Sequence, residues 1–261
     1  MRISLKNKKA LVGGSSKGLG YAVGKQLAMC GAQVTLVSRN ETLLKKNIIE
    51  LEKITGLKHN YLIVDYNNHK AYKKLIGEFF KKNSIDILVN NTQGPAAGDV
   101  FSVSDEDYQN SFDLLFRNTI STTNAAIKNM KKNNWGRIIN MSSVSVKEPL
   151  AYLALSNTIR SAVTSWGKTL SIESGQYNIT VNNILTGFFN TERLNQLNSE
   201  KAKKFNVSVE EVFDKISEMV PIKRIGDPKE FAYLVAFLSS EYAGYINGVN
   251  IPIDGGLLKS M

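Results

Sequence analysis

The sequence predicts an α/β domain in which helices cover both faces of a parallel β-sheet. Short apolar segments alternate with amphipathic helical segments from the first residues onward. Such alternation is typical of parallel strands, because a crossover helix has to lie between two strands that run in the same direction. No linker, repeat or low-complexity stretch divides the 261 residues. We therefore expect a single, doubly wound domain over residues 1–261.

The expected strands are apolar runs of four to eight residues bounded by turn signals. In chain order they are KKALVGG, QVTLVS, NYLIVD, IDILVNN, GRIINMSS, NITVNNIL and VNIPID. Asp65 is expected to end the third strand, and a long helix is expected from about residue 151 to 176. The segment 186–226 breaks the alternation, since it is polar and helical only in parts. It follows the end of a strand, where open α/β sheets bind ligands, and is predicted to be a mobile lid over a substrate.

The composition excludes several kinds of site. Cys30 is the only cysteine, and His59 and His69 are the only histidines. Neither a disulfide framework nor a Cys/His metal site can be assembled from them, so no metal is expected. Any chemistry must use Ser, Tyr, Arg, Lys or carboxylates together with an organic cofactor.

The charge and hydropathy patterns predict a cytoplasmic protein that contacts neither nucleic acid nor membrane. Lys and Arg number 33 against 23 Asp and Glu, which gives a net charge of +10. The basic residues are scattered over expected helix surfaces without interleaved aromatic residues, as on an ordinary solvated surface. No apolar run approaches the roughly 18 residues that cross a bilayer, and the N-terminal residues lack the apolar stretch of a secretory signal.

A glycine-rich turn follows the first strand and opens a helix. Its spacing from Gly14 onward is G-x-x-x-G-x-G. Glycines allow the backbone to approach a pyrophosphate closely, and the free N–H groups at a helix start attract negative charge. The residues predicted to bind a nucleotide here are Gly14, Ser15, Ser16, Lys17, Gly18, Leu19 and Gly20.

With this turn the chain resembles the short-chain dehydrogenase/reductase family, and in particular its 3-oxoacyl-carrier-protein reductases. Gly13 stands where the family usually has Thr, Asn90 to Gly94 stand for its Asn-Asn-Ala-Gly motif, and Thr186-Gly187 stands for its Pro-Gly. The resemblance extends over essentially the whole chain and implies a Rossmann-type fold. Further cofactor contacts that it implies are Asp65, Tyr66, Asn91, Thr92, Gly94, Arg160, Gly187, Phe189 and Thr191.

The residues after the second strand predict which nicotinamide cofactor binds. An acidic residue there would accept hydrogen bonds from the ribose 2′-hydroxyl and would repel a 2′-phosphate. This chain has Ser38-Arg39 instead. Arg39 can pair bidentately with a phosphate, and Lys17 offers a second positive charge. NADP(H) is therefore favoured, with NAD(H) as the alternative.

The family's catalytic positions are changed in this chain. In the family a Ser polarises the substrate carbonyl, a Tyr transfers the proton, and a Lys lowers the pKa of that Tyr and holds the nicotinamide ribose. Ser143 lies at the Ser position, with Ser142 as an alternative, while Ser156 and Arg160 occupy the Tyr and Lys positions. The resemblance therefore implies a divergent subgroup that lacks the Tyr-x-x-x-Lys motif. A Ser hydroxyl is a far weaker acid than a phenol, and Arg160 will not release a proton near neutral pH.

Other residues are candidates for the missing roles. In the family an Asn on the preceding helix supports a water relay. Leu115 occupies that position in this chain, and Asn118 lies one helical turn later. Tyr152 precedes Ser156 by four residues, which on a helix would put both on one face. Tyr152 is either a replacement proton donor or a residue that packs or lines the pocket, in which case water supplies the proton. Phe188 and Phe189 either cover the nicotinamide ring or belong to the core.

Two functions remain open from the sequence. The first is an NADP(H)-dependent oxidoreductase that reduces a ketone, such as a 3-oxoacyl thioester or a similar small carbonyl compound. The second is a catalytically weak or inactive NADP(H)-binding protein that serves as a sensor, partner subunit or scaffold. The resemblance also implies a homodimer or homotetramer built on the helices at about 105–133 and 151–176. Apolar residues that form such an interface or the core are Val163, Trp166 and Leu170.

Overall fold

The computed structural model of the chain describes residues 2–260, apart from the side chain of Lys204. Within these residues seven strands form one parallel sheet in the order β3-β2-β1-β4-β5-β6-β7. The order reverses between β1 and β4, and open α/β sheets bind ligands at such a point. The strands are β1 Lys9–Val12, β2 Gln33–Ser38, β3 Asn60–Ile63, β4 Ile87–Asn90, β5 Gly136–Ser143, β6 Ile179–Thr186 and β7 Asn250–Ile253.

Helices cover both faces of the sheet, as the sequence predicts. One core cluster packs α1, α2 and α9 against the strands, and a second packs α3, α5 and α6 against the opposite face. None of the helices in residues 2–260 is long and apolar enough to cross a bilayer. The helices are α1 Gly18–Met29, α2 Glu41–Thr55, α3 His69–Lys82, α4 Asp105–Phe112, α5 Asn118–Asn133, α6 Ala154–Ser174, α7 Glu192–Phe205, α8 Val209–Met219 and α9 Pro228–Leu238, and a π-helical segment Asp113–Arg117 joins α4 to α5.

The expected start of the long helix α6 is wrong by three residues. The backbone before Ala154 forms a bridge with the loop that follows β4: the Gly98 N–H donates to the Tyr152 carbonyl at 2.9 Å, and the Ala154 N–H donates to the Gly98 carbonyl at 3.1 Å. The bridge holds Leu153 at φ −126° and ψ 41°, outside the helical region, so the helix begins only at Ala154 and Tyr152 lies outside it. The third strand also ends earlier than expected, at Ile63, two residues before Asp65.

The segment 186–226 contains α7 and α8, which pack against each other around a small apolar cluster of their own. Leu194 of α7 and Val212 and Ile216 of α8 are buried in this cluster. The insertion is therefore an ordered helical pair at the carboxyl end of β6, and its role as a lid stays a prediction.

Candidate active site

The glycine turn between β1 and α1 is packed too closely for any larger residue. Gly14 and Gly18 have φ angles of +53° and +58°, in the left-handed region that favours glycine. A Cβ atom at Gly14 would lie 2.7 Å from the Asn91 amide nitrogen, and one at Gly20 would lie 2.3 Å from the Gly14 carbonyl oxygen. The turn therefore leaves the N-terminal N–H groups of α1 open to a diphosphate.

Two side chains from the loops that follow β3 and β4 hold this turn in place. The Asn91 amide donates to the Gly13 carbonyl at 3.1 Å, and the Gly14 N–H donates to the Tyr66 hydroxyl at 3.1 Å. Tyr66 is buried, and burial raises its pKa well above the ordinary value, so its phenol stays neutral. The sequence predicts Tyr66 to contact the cofactor, whereas its side chain supports the turn from below.

A free guanidinium lies at the carboxyl end of β2. Arg39 is exposed and forms no hydrogen bond or ion pair with any residue in 2–260. The preceding Ser38 hydroxyl donates to the Ser16 hydroxyl at 3.0 Å, which joins the β2 end to the glycine turn. Lys17, the second predicted cation, is paired with Glu192 at the start of α7, and both side chains are exposed. Arg39 is therefore the cation available to a 2′-phosphate.

The predicted adenine-side residues follow the carboxyl ends of β3 and β4. Asp65 is exposed and accepts a hydrogen bond from the Asn67 N–H at 3.0 Å. The Asn67 side chain accepts one from the Gln93 amide at 2.9 Å, so the two loops are tied together across the crevice. Thr92 is partly exposed, and open space surrounds the Cα of Gly94. These residues thus lie on the same edge of the sheet as the glycine turn.

The loop that follows β6 places its two phenylalanines in different apolar clusters. Phe189 is 5% exposed and packs edge-to-face on Phe231 of α9 at 5.6 Å between ring centroids. Phe188 packs against the apolar cluster of α7 and α8. The core alternative is therefore the observed one for Phe189, which can contact a cofactor only through its backbone, and both alternatives stay open for Phe188. Gly187 and Thr191 remain in the loop, where Thr191 caps α7 by accepting from the Leu194 N–H.

Ser156 and Arg160 contact each other on the first two turns of α6. The Arg160 Nε donates to the Ser156 hydroxyl at 3.2 Å, and its Nη1 donates to the Met141 carbonyl of β5 at 2.8 Å. Its Nη2 has no partner and no carboxylate pairs with the guanidinium within residues 2–260. Burial lowers the pKa of Arg160 to about 10, which still leaves the group charged at neutral pH. The site therefore contains an unpaired, largely buried cation.

Ser143 has a free hydroxyl proton at the end of β5. Its oxygen accepts a hydrogen bond from the Ser145 N–H at 3.1 Å, while its own O–H has no acceptor in the described residues. Ser142 is 5% exposed, its hydroxyl has no hydrogen-bond partner in the described residues, and it lines a small cavity of about 20 Å³ together with Leu115 and Arg160. Both hydroxyls are therefore free to donate towards a ligand, and the catalytic role of Ser143, with Ser142 as the alternative, stays a prediction.

The residues considered for the relay are both buried. Leu115 lies in the π-helical segment, and its carbonyl accepts from the Thr119 hydroxyl at 2.7 Å. The Asn118 amide donates to the Tyr66 carbonyl at 2.7 Å, and its oxygen bonds the His69 ring at 2.8 Å. Asn118 is therefore committed to joining α5 to the loop after β3 and is not available as a relay.

Tyr152 does not share a helical face with Ser156, because it precedes the first residue of α6. Its side chain is 49% exposed, and its hydroxyl has no hydrogen-bond partner in residues 2–260. Partial burial raises its pKa above the ordinary value of a phenol. The phenol is therefore a weaker acid than free tyrosine.

A row of asparagines runs across four strands beneath the site, and sequence analysis did not single it out. Asn90, Asn140, Asn183 and Asn250 are neighbours in register on β4, β5, β6 and β7. Their amides donate in sequence at 2.9, 2.9 and 2.8 Å. The sequence feature that indicates this row is an asparagine in each of four expected strands. The row fixes the end of β4 next to Asn91, which holds the glycine turn.

Comparison with known proteins identifies the family. Residues 14–258 match the family model described as Enoyl-(Acyl carrier protein) reductase. NADPH-dependent reductase BacG of Bacillus subtilis (strain 168) is 32% identical over 98% of this chain and 100% of its own length. The chain belongs to the short-chain dehydrogenase/reductase family. The 3-oxoacyl-[acyl-carrier-protein] reductase FabG of Aquifex aeolicus (strain VF5) is 30% identical over 98% of this chain and 100% of its own length.

Solved structures of this family show the same architecture. L-sorbose reductase from Gluconobacter frateurii, complexed with NADPH and L-sorbose, superposes with a TM-score of 0.93 at 28% identity, with both chains covered completely. The predicted single-domain Rossmann-type fold is confirmed. NADPH is the cofactor of L-sorbose reductase in that structure and of BacG, in agreement with the cofactor that the sequence favours.

Proposed function

We propose that this short-chain dehydrogenase/reductase reduces a small carbonyl compound with NADPH, the substrate being a ketone of the 3-oxoacyl thioester kind or a similar molecule. The observation that carries the proposal is the Arg160 guanidinium, which is largely buried, lacks any acidic partner in residues 2–260 and keeps one nitrogen unbonded. A buried cation without a counterion favours an anionic or electron-rich partner, and such a charge develops on a carbonyl oxygen during reduction. The chain would then represent a divergent subgroup without the Tyr-x-x-x-Lys motif.

NADP(H) suits the cofactor end of the crevice. The α1 N-terminus would bind the diphosphate, and Arg39 would bind the 2′-phosphate. Lys17 would bind the phosphate only after its ion pair with Glu192 breaks. Two of the relatives named above support this assignment, because BacG is an NADPH-dependent reductase and L-sorbose reductase binds NADPH. When bound, NADPH supplies a hydride to the substrate.

The protein's own residues would orient the carbonyl and stabilise the charge. As the hydride adds to the carbonyl carbon, the electron pair of the C=O bond moves to oxygen. The Ser143 hydroxyl would donate a hydrogen bond to that oxygen, and the charge of Arg160 would stabilise it. The alkoxide then takes a proton, which gives the alcohol. Ser156 would keep the guanidinium of Arg160 in place through its hydroxyl.

Water, rather than Tyr152, is the proton donor that the contacts favour. We expect Tyr152→Phe to leave kcat and its pH profile within about twofold of the unmodified protein, because the phenol lies outside α6 and its pKa is raised. A general acid in the reaction typically contributes about 10²- to 10⁴-fold. A loss of that size in the steady-state rate, measured from pH 6 to 10, would assign the proton transfer to Tyr152.

NADPH oxidation in the presence of 3-oxoacyl thioesters, diketones and aldehydes tests the proposed function. We expect turnover of at least one compound, and a loss of about 10²-fold in kcat/KM for Ser143→Ala, as for removal of an oxyanion donor. Ser142→Ala is the matched control, and its rate should stay within a few-fold. NADPH binding without turnover above the Ser143→Ala level would favour the second function, a binding protein that acts as sensor, partner subunit or scaffold.

We further propose a homodimer or homotetramer assembled through α4, α5 and α6. Phe116 and Trp166 meet edge-to-face between α6 and the π-helical segment at 6.3 Å, and both are partly exposed. Val163 is buried in the protomer, so it belongs to the core instead. Sedimentation of the unmodified protein should show an oligomer. Trp166→Glu should dissociate this oligomer into protomers. Ile49→Glu, on exposed α2, is the control and should leave the mass unchanged.

A further inference from the structure

The segment that follows β7, residues 254–260, is fastened to the loop that follows β5. A single carboxylate oxygen of Glu148 accepts hydrogen bonds from the backbone N–H groups of Lys259 and Ser260, each at 2.7 Å. These bonds lower the pKa of Glu148 below its ordinary value, so the carboxylate stays charged at neutral pH. Glu148 lies five residues after Ser143. The far end of the 254–260 segment is therefore attached beside the candidate catalytic serine.

The near end of the segment is also held by a carboxylate. Asp254 accepts from the N–H groups of Gly256 and Leu258, each at 2.9 Å. A carboxylate that accepts several backbone N–H bonds makes strong, charge-assisted contacts and fixes the backbone that donates them. The segment is thus ordered by its own side chain at one end and by Glu148 at the other.

The strand order determines where the 254–260 segment runs. It leaves β7 and reaches the loop after β5, and β6 lies between these two strands. The segment therefore crosses the carboxyl end of β6, where a Cβ atom at Gly187 would lie 2.7 Å from Cα of Asp254. It passes between the loop with Ser143 and the α7–α8 insertion.

The segment also contacts the end of the insertion. The Ile222 N–H donates to the Gly255 carbonyl at 3.3 Å. Cβ atoms at Gly255 and Gly256 would lie 2.6 Å from Val220 and 3.2 Å from Pro221. Residues 254–260 thus join the insertion to the Ser143 loop, on the far side of the crevice from the glycine turn that follows β1.

We propose that residues 254–260 are a clasp that closes the substrate side of the crevice, and that Glu148 is the positioning residue that fastens it. This inference rests on the proposed function, because the closed space is then that of the carbonyl substrate. The glycine turn and Arg39 lie outside the contacts described for the clasp, and Gly187, the predicted cofactor contact that packs on Asp254, keeps that contact when the clasp is released at Glu148. Loss of the clasp should therefore weaken substrate binding and leave NADPH binding unchanged.

Steady-state kinetics separate these two effects. Glu148→Ala removes both hydrogen bonds to the clasp, and two bonds of ordinary net strength predict a rise of roughly tenfold in KM for the carbonyl substrate. KM for NADPH should stay within about twofold. Glu148→Gln keeps a neutral acceptor and should give an intermediate KM. Asp107→Ala is the matched control, because Asp107 likewise accepts a backbone N–H, from Ser104, at the start of α4.

A second measurement does not depend on turnover. In a Cys30→Ser, Ser143→Cys background, the only thiol lies in the crevice, and its rate of maleimide labelling reports access from the substrate side. Glu148→Ala should raise that rate about tenfold, as expected for loss of the two hydrogen bonds. Asp107→Ala should leave the rate unchanged. Fluorescence titration with NADPH verifies that every variant is folded.

The outcomes distinguish the clasp from the proposed function. Equal labelling rates for Glu148→Ala and Asp107→Ala overturn the clasp, even if carbonyl reduction is observed. Faster labelling of Glu148→Ala together with no turnover of any carbonyl compound supports the clasp and rejects the proposed function. A parallel rise in KM for substrate and for NADPH would show that Glu148 acts on the general fold, and it also overturns the clasp.

Discussion

Arg160→Met is expected to lower kcat by about 10²- to 10³-fold, the usual loss when one group that stabilises an oxyanion is removed. The methionine has a similar volume but no charge and no donor. It would therefore leave the Ser156 hydroxyl and the Met141 carbonyl without the guanidinium that they contact. Single-turnover absorbance at 340 nm, with NADPH bound in advance, measures the chemical step apart from binding.

Two variants make the Arg160 result specific. Arg160→Lys keeps a cation and should retain turnover within about tenfold of the unmodified protein, although a lysine cannot contact both oxygens in the planar geometry of arginine. Arg117→Met is the control, because Arg117 pairs with Asp113 on the exposed side of the π-helical segment. Full activity of Arg160→Met would show that the buried cation has no part in the reaction.

Arg39→Asp is expected to weaken NADPH binding by about 10²-fold, since it removes charge-assisted hydrogen bonds worth about 1.5–3 kcal/mol and adds repulsion of the 2′-phosphate. NADH, which lacks that phosphate, should bind as well as before or better, because an acidic residue after β2 accepts hydrogen bonds from the ribose hydroxyls. Titration of protein fluorescence with each nucleotide gives both dissociation constants.

A charge reversal at an exposed residue away from the crevice tests whether the loss of NADPH affinity comes from Arg39 itself or from the change in net charge. Lys53→Asp, on an exposed turn at the end of α2, changes the net charge by the same amount and should alter NADPH affinity less than twofold at 0.15 M salt, where exposed charges are screened beyond about 8 Å. Tight NADPH binding by Arg39→Asp would refute the assignment of Arg39 to the 2′-phosphate, and the open position of its guanidinium would then need another explanation.

Local sequence patterns predicted the sheet because buried parallel strands are short apolar runs whatever surrounds them. All seven expected strands are present, and the glycine turn lies between β1 and α1 as the spacing indicates. The start of α6 was mispredicted, since the bridge between Gly98 and residues 152–154 joins segments about 55 positions apart. The same kind of distant contact commits Tyr66 to the glycine turn and Asn118 to His69.

The sequence by itself determined the fold class, the nucleotide turn, the cation after β2 and the identities of the residues at the family's catalytic positions. These features depend on residue type and on spacing along the chain. Only the tertiary structure decided that Arg160 is buried without a counterion, that Tyr152 lies outside α6, that Phe189 belongs to the core and that Glu148 fastens residues 254–260. Burial, partners and pKa shifts come from segments that the fold brings together, and no local pattern records which segments those are.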